Sequence, residues 1–131
     1  MPITKVSPAR RALRVALPLA ALALGLSACS NAGSADPVRL APDAILLDVR
    51  TADEFAAGHL EGARLLDFNG GEVAAAIPEL DPDAEYLVYC RSGNRSGQAI
   101  ALMQQAGIER VTNLGSLDEA ARATGLRIRS E

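Results

Sequence analysis

Leu87-Val88-Tyr89-Cys90-Arg91-Ser92-Gly93-Asn94-Arg95-Ser96-Gly97 changes character in its middle, and that change decides the fold. A short apolar run, too brief for a buried helix, reads as a strand that ends on Cys90. Small, polar and cationic residues follow, and a helical pattern then takes over. Such an order sets a rigid strand end, a turn able to aim its amide N–H groups inward, and the positive dipole end of a helix around one sulfur. Arg91 and Arg95 add two full positive charges in an otherwise acidic chain. A cysteine so placed has a depressed pKa and is ready as a nucleophile.

Working outward, strands alternate with helices. Ile45 to Val49 is a short apolar run suited to a buried strand, and Thr51 with Glu54 forms a capping box that opens a short helix ended by Gly58. Ala63 to Leu66 reads as a further short strand, and Glu72 to Ile77 as a helix closed by the Pro78 and Pro82 turn. Glu85 to Tyr89 is the strand that feeds the cysteine turn. Ala99, Leu102, Met103 and Ala106 recur at helical spacing, so a helix from about Arg95 packs one face inward and stops at Gly107. Arg110 to Thr112 is the last candidate strand, and Ser116 with Glu119 repeats the capping box before a final helix. The pattern predicts an α/β fold: a small, mostly parallel sheet flanked by helices on both faces. In such sheets ligands bind beyond the carboxyl ends of strands, where Cys90 sits.

Apolar residues make up 49% of the 131, enough for one core, and the aromatics are Phe55, Phe68, Tyr86 and Tyr89. Four of the 13 basic residues (Lys5, Arg10, Arg11, Arg14) precede residue 15, leaving nine against 16 acidic ones. A body near −7 argues against nucleic acid as a partner. The basic start, the apolar run from Val15 to Leu26 and the small residues after it read as a targeting segment, because a bilayer-spanning helix needs roughly 20 apolar residues. Leu26-Ser27-Ala28-Cys29 resembles the lipobox of bacterial lipoproteins. That resemblance implies residues 1–28 as a lipoprotein signal peptide and Cys29 as the lipidated residue, with 29–37 as a flexible tether and 38–131 as the folded domain. An ordinary secretory signal cut near Ala28 is the alternative. Ser30 differs from the aspartate that retains such proteins at an inner membrane. The implied location is the cell envelope, with the lipid anchor as the sole membrane contact and the domain facing the periplasm or exterior. Cys90 is then the only free thiol of the mature domain, a disulfide with Cys29 being the alternative in an oxidising compartment.

Two segments together carry a wider resemblance. ILLDVRTADEFAAGHLEGA (45–63) resembles the N-terminal signature of single-domain rhodaneses, and VYCRSGNRSGQA (88–99) their active-site loop and following helix; the likeness spans about Val38 to Gly125. Secretion and small size are similar to the periplasmic members of the phage-shock-protein E type. One departure is visible: many rhodaneses carry a Gly-Gly pair and a Trp after the last strand, whereas this chain has Leu114-Gly115-Ser116-Leu117 and no Trp.

The resemblance implies a thiosulfate sulfurtransferase in which Cys90 attacks the outer sulfur of a donor such as thiosulfate and carries it as a persulfide to a thiol or cyanide acceptor. Arg91, Ser92, Gly93, Asn94, Arg95 and Ser96 form the implied substrate-binding turn, its amides cradling the outer sulfur. Gly93 suits a backbone turned inward with positive φ. Arg91 and Arg95 attract the dianion and favour the thiolate, while Arg95 also suits pairing with a carboxylate such as Asp48. Ser96 reads as the helix cap rather than a hydroxyl catalyst. His59, the single histidine, reads as structural support, as do Asp48, Arg50 and Glu54, taken as one charge network at the sheet end. No cofactor is called for, and one His with one free Cys cannot assemble the usual metal ligands.

Two rival readings compete. Cysteine phosphatases and arsenate reductases of related fold resemble C-x5-R, whereas Arg95 gives the tighter C-x4-R, a poor fit to phosphate and a good one to a single sulfur. A non-enzymatic persulfide carrier or sensor needs the same Cys90.

Overall fold

Central to the molecule is β4 (Tyr86–Cys90), a five-residue strand with every residue buried. In the computed structural model, which describes residues 37–131, it lies inside a four-stranded parallel sheet. Its neighbours are β1 (Ile45–Asp48) on one side and β5 (Val111–Ser116) on the other, with β3 (Arg64–Leu65) beyond β1, giving the order β3-β1-β4-β5. The alternation of side chains along β4 divides the core into two layers. Tyr86, Val88 and Cys90 join Leu47, Val49, Val73, Ala99 and Met103 on one face, while Leu87 and Tyr89 join Leu46, Leu60, Leu114 and Ala120 on the other. Helices α2 (Glu72–Ala76) and α3 (Asn94–Gln105) supply residues to the first layer, and α4 (Leu117–Thr124) to the second. Each fully buried Val or Leu contributes about 1.5–3 kcal/mol, so burial on both faces stabilises a sheet this small.

The α/β architecture expected from the alternation is therefore the one observed. The chain leaves β1 for β3 on one side and returns to β4 on the other, so the winding reverses between β1 and β4. Both Asp48 and Cys90 stand at the carboxyl ends of these two strands, beside the reversal point where crevices open in such sheets.

Both capping boxes form. Thr51 accepts the Glu54 amide at 3.3 Å while the Glu54 carboxylate takes the Thr51 amide at 3.0 Å, starting α1 (Ala52–Ala57). Ser116 and Glu119 do the same for α4, which Gly125 ends in the left-handed conformation. The helix expected over Glu72 to Ile77 tightens into a 3₁₀ turn over Ile77–Glu79, where Pro78 cannot donate to a continuing α ladder. The strand expected over Arg110 to Thr112 runs on to Ser116, because β4 pairs with it past residues of low strand propensity, Asn113 and Gly115. The inward face of α3 is also redrawn: Ser96, Ala99 and Met103 are buried, whereas Ala106 is the exposed C-cap. A second sheet gave no sequence signal, since its strands β2 (His59–Leu60) and β6 (Ile128–Arg129) are two residues each and lie far apart in the chain.

Among the described residues no helix is long and apolar enough to cross a membrane. The signal segment 1–28, the lipidation at Cys29 and all but the last residue of the tether lie outside the described residues.

Candidate active site

Cys90 closes β4 as a free, fully buried thiol, and the next three residues fold back over it. Gly93 adopts φ +90°, a left-handed conformation open to glycine, and its amide then donates to Cys90 Sγ at 3.0 Å. Gly93 also lies so near the backbone of Gly115 that an added Cβ would stand 3.3 Å from the Gly115 Cα. A β-bulge brings Gly115 there: Val88 pairs with Asn113 but Tyr89 with Gly115, leaving Leu114 as the extra residue. This accounts for the departure at Leu114-Gly115-Ser116-Leu117. A single glycine suffices for the positive φ of 82° at Gly115, and Ser116 is an extended N-cap for which a hydroxyl is the better residue.

Gly93 occupies the N-cap of α3, and Ser96 therefore does not. Ser96 is the third residue of the helix, buried, with Oγ 3.4 Å from Cys90 Sγ and donating to Asn113 Oδ1 at 2.8 Å. The expectation of a capping serine is corrected by the turn, whose left-handed glycine already starts the helix. Burial is the largest influence on the Cys90 thiol and opposes ionisation. The Ser96 hydroxyl and the amides of Ser96, Ser92 and Gly93 together outweigh it, so the pKa falls below its ordinary value. Asn94 is spent elsewhere, accepting from Gln98 Nε2 at 2.7 Å on the exposed side of α3.

The charge network at the sheet end resolves into two separate pairs. Asp48, fully buried, accepts from the Arg50 amide at 3.0 Å and from its guanidinium at 2.6 Å, while the same guanidinium donates to the Gly58 carbonyl at 2.6 Å. Its carbon stands 5.5 Å from the centre of the Tyr89 ring. Arg95 turns to Glu54, not to Asp48, in a two-pronged pair of 2.8 and 2.9 Å. Asp48 has no capacity left for it, whereas Glu54 projects from α1 toward the turn. The Arg95 hydrogen bond foremost, and then the Thr51 contacts and the Arg95 charge, hold the Glu54 carboxyl at about 2 against a burial cost. Arg95 stays charged chiefly through Glu54, and charge on Cys90 reinforces it.

Arg91 and Ser92 are exposed, and Arg91 pairs with no carboxylate among the described residues. His59 stacks on Phe55 with ring centres 3.7 Å apart, and its Nδ1 donates to the Phe55 carbonyl at 2.9 Å. That places it in the support of α1 and β2, away from the sulfur. Asn113 is the residue that sequence reasoning missed. Nothing in the strand pattern marks an exposed asparagine, and the bulge beside it is set by the register with β4.

A model of the rhodanese-like domain family matches residues 35–122. A sulfurtransferase of Allochromatium vinosum is 39% identical over 72 residues, covering 55% of this chain and 65% of that relative, just under two thirds of its length. The thiosulfate sulfurtransferase GlpE of Pseudomonas putida is 41% identical over 81 residues, covering 62% of this chain and 72% of the relative. Among solved structures, a rhodanese with anions from E. coli superposes with a TM-score of 0.55 at 27% identity, covering 67% of this chain and 99% of that one. The rhodanese-like domain of the Alr3790 protein from Anabaena gives 0.58 at 30% identity, covering 70% and 91%.

Proposed function

This chain belongs to the rhodanese-like domain family, and from that premise we propose that it is a thiosulfate sulfurtransferase working through a persulfide on Cys90. The observation that carries the reading is the polar set around the sulfur: Gly93 N–H donating at 3.0 Å and Ser96 Oγ in contact at 3.4 Å, at the start of α3. The thiolate attacks the outer sulfur of thiosulfate, the S–S bond breaks, and its electron pair leaves with sulfite. An acceptor thiolate or cyanide then attacks the bound sulfur and returns Cys90 as a thiolate. Because the turn covers Cys90, a donor reaches the sulfur by displacing the exposed residues Arg91 and Ser92. Once loaded, the persulfide lies out of water, its outer sulfur facing the same amides.

Arg91, unpaired among the described residues, is the cation that draws in the dianion, while Arg95 supplies field and loop geometry through Glu54. This division speaks against phosphoryl chemistry, in which the loop arginine must grip the transferred group. Attachment to an envelope membrane through Cys29 is part of the same proposal. It rests on the pattern at residues 26–29 and is tested by fatty-acid labelling that a Cys29→Ala change removes.

Intact mass of the Cys29→Ala protein after incubation with thiosulfate tests the chemistry. One added sulfur is expected, absent from the Cys90→Ser variant, together with thiocyanate turnover when cyanide is supplied. An unchanged mass overturns the reading, and loading without turnover favours a persulfide carrier.

A further inference from the structure

Asn113 uses its carboxamide at both ends, and both ends lead to Cys90. Its Nδ2 donates to the Gly93 carbonyl at 3.0 Å, while Oδ1 accepts from Ser96 Oγ at 2.8 Å and from the Gly115 amide at 2.9 Å. Chemistry alone fixes the orientation, since a carbonyl only accepts and an amide N–H only donates. Gly93 N–H, at 3.0 Å, and Ser96 Oγ, at 3.4 Å, both contact the sulfur, alongside the Ser92 amide. One side chain on β5 therefore governs both.

The proton count gives this arrangement a consequence. Ser96 has one hydroxyl hydrogen. While Asn113 holds it, Oγ shows lone pairs to Sγ, which suits a neutral S–H donating to oxygen. A thiolate has no hydrogen to give, so a favourable contact requires the hydroxyl to turn toward sulfur. Oδ1 then keeps the Gly115 amide and is not left unpartnered. Asn113 and the thiolate compete for one hydrogen.

We propose that Asn113 is a positioning residue for Cys90, holding the turn through the Gly93 carbonyl and competing with the sulfur for the Ser96 hydroxyl hydrogen. The inference rests on the reading of Cys90 as the reactive thiolate. Around Cys90 stand Arg95 on α3 with its partner Glu54 on α1, the Asp48–Arg50 pair at the carboxyl end of β1, and Arg91 in the turn. All of these are common to the proteins compared below and cancel in the comparison.

The test is a double-mutant cycle in the full chain carrying Cys29→Ala, which leaves Cys90 as the sole thiol. Asn113→Leu, Ser96→Ala and the double variant are titrated by ultraviolet thiolate absorbance, with circular dichroism to verify folding. Leu fills the amide's volume, so water does not replace it as an acceptor. With Ser96 present, Asn113→Leu should raise the thiolate-to-thiol ratio at fixed pH by up to about tenfold, because the hydroxyl hydrogen passes to sulfur. In the Ser96→Ala background that increase should be gone. Equal changes in both backgrounds, or a change less favourable to the thiolate with Ser96 present than without it, overturn the proposal. Should the Leu variant not fold, Asn113→Asp decides: it keeps the size and the acceptor, grips the hydrogen harder, and should lower the ratio more with Ser96 than without it. Equal lowering means charge alone and overturns the competition. The titration reads a proton rather than sulfur transfer, so the two readings can fail separately. Coupling without transfer removes the proposed function, and transfer without coupling removes this inference.

Discussion

Replacing Glu54 with Gln removes the charge from the one carboxylate that ties α1 to the cysteine turn while leaving an acceptor for the Thr51 amide. The folded carboxyl sits at about 2 against 4.5 for an unperturbed glutamate. Linkage over that interval sets a ceiling of roughly 3 kcal/mol. Water reaches the carboxylate, whose side chain is 26% exposed, and the glutamine keeps part of the cap, so about 1–2 kcal/mol is the expected loss near neutral pH. For a domain of this size that lowers the melting temperature by roughly 5–15 °C. Thermal unfolding of Glu54→Gln and the parent, followed by circular dichroism at a series of pH values, measures it. A depressed folded-state pKa stabilises fully above the unfolded value and is lost as pH falls through the folded one. The gap between the proteins should therefore hold above about pH 4.5 and close progressively toward pH 2. A gap unchanged across that window would refute the reasoning, leaving the contact as a cap with no ionic content. An Arg95→Met variant should lose most of the same stability, and adding Glu54→Gln to it should cost little more.

Further outcomes follow from the same contacts. Gly93→Ala meets both a φ of +90° and a neighbouring backbone 3.3 Å from the new Cβ, so it should lose about 1–3 kcal/mol and most of its sulfur loading. Denaturant unfolding and intact mass with thiosulfate check this, and wild-type loading would show that the turn tolerates another shape. Asp48→Ala strands a guanidinium that is nearly fully buried and should destabilise by about 3–5 kcal/mol in denaturant unfolding, whereas a loss under ~1 kcal/mol would mean Gly58 and Tyr89 hold Arg50 unaided.

The sequence by itself determined whatever closes within a few residues. Both capping boxes, the strand that ends on Cys90, the glycine that turns back over it and the helix that follows are written in spacings of two to four, where a side chain meets its own neighbours. The alternation of those units further determined a parallel sheet covered on both faces. Tertiary structure decided which distant group each charge or hydroxyl meets. Arg95 reaches Glu54, 41 residues away, because Asp48 is already saturated by Arg50 two residues on. Ser96 turns inward because Gly93 takes the helix start, and it finds Asn113 because a bulge in β5 sets the register at that point. β2 and β6 exist as strands because the fold brings two dipeptides side by side. Local chemistry sets which contacts a residue can make. Register and burial choose among partners, and those are properties of the assembled sheet.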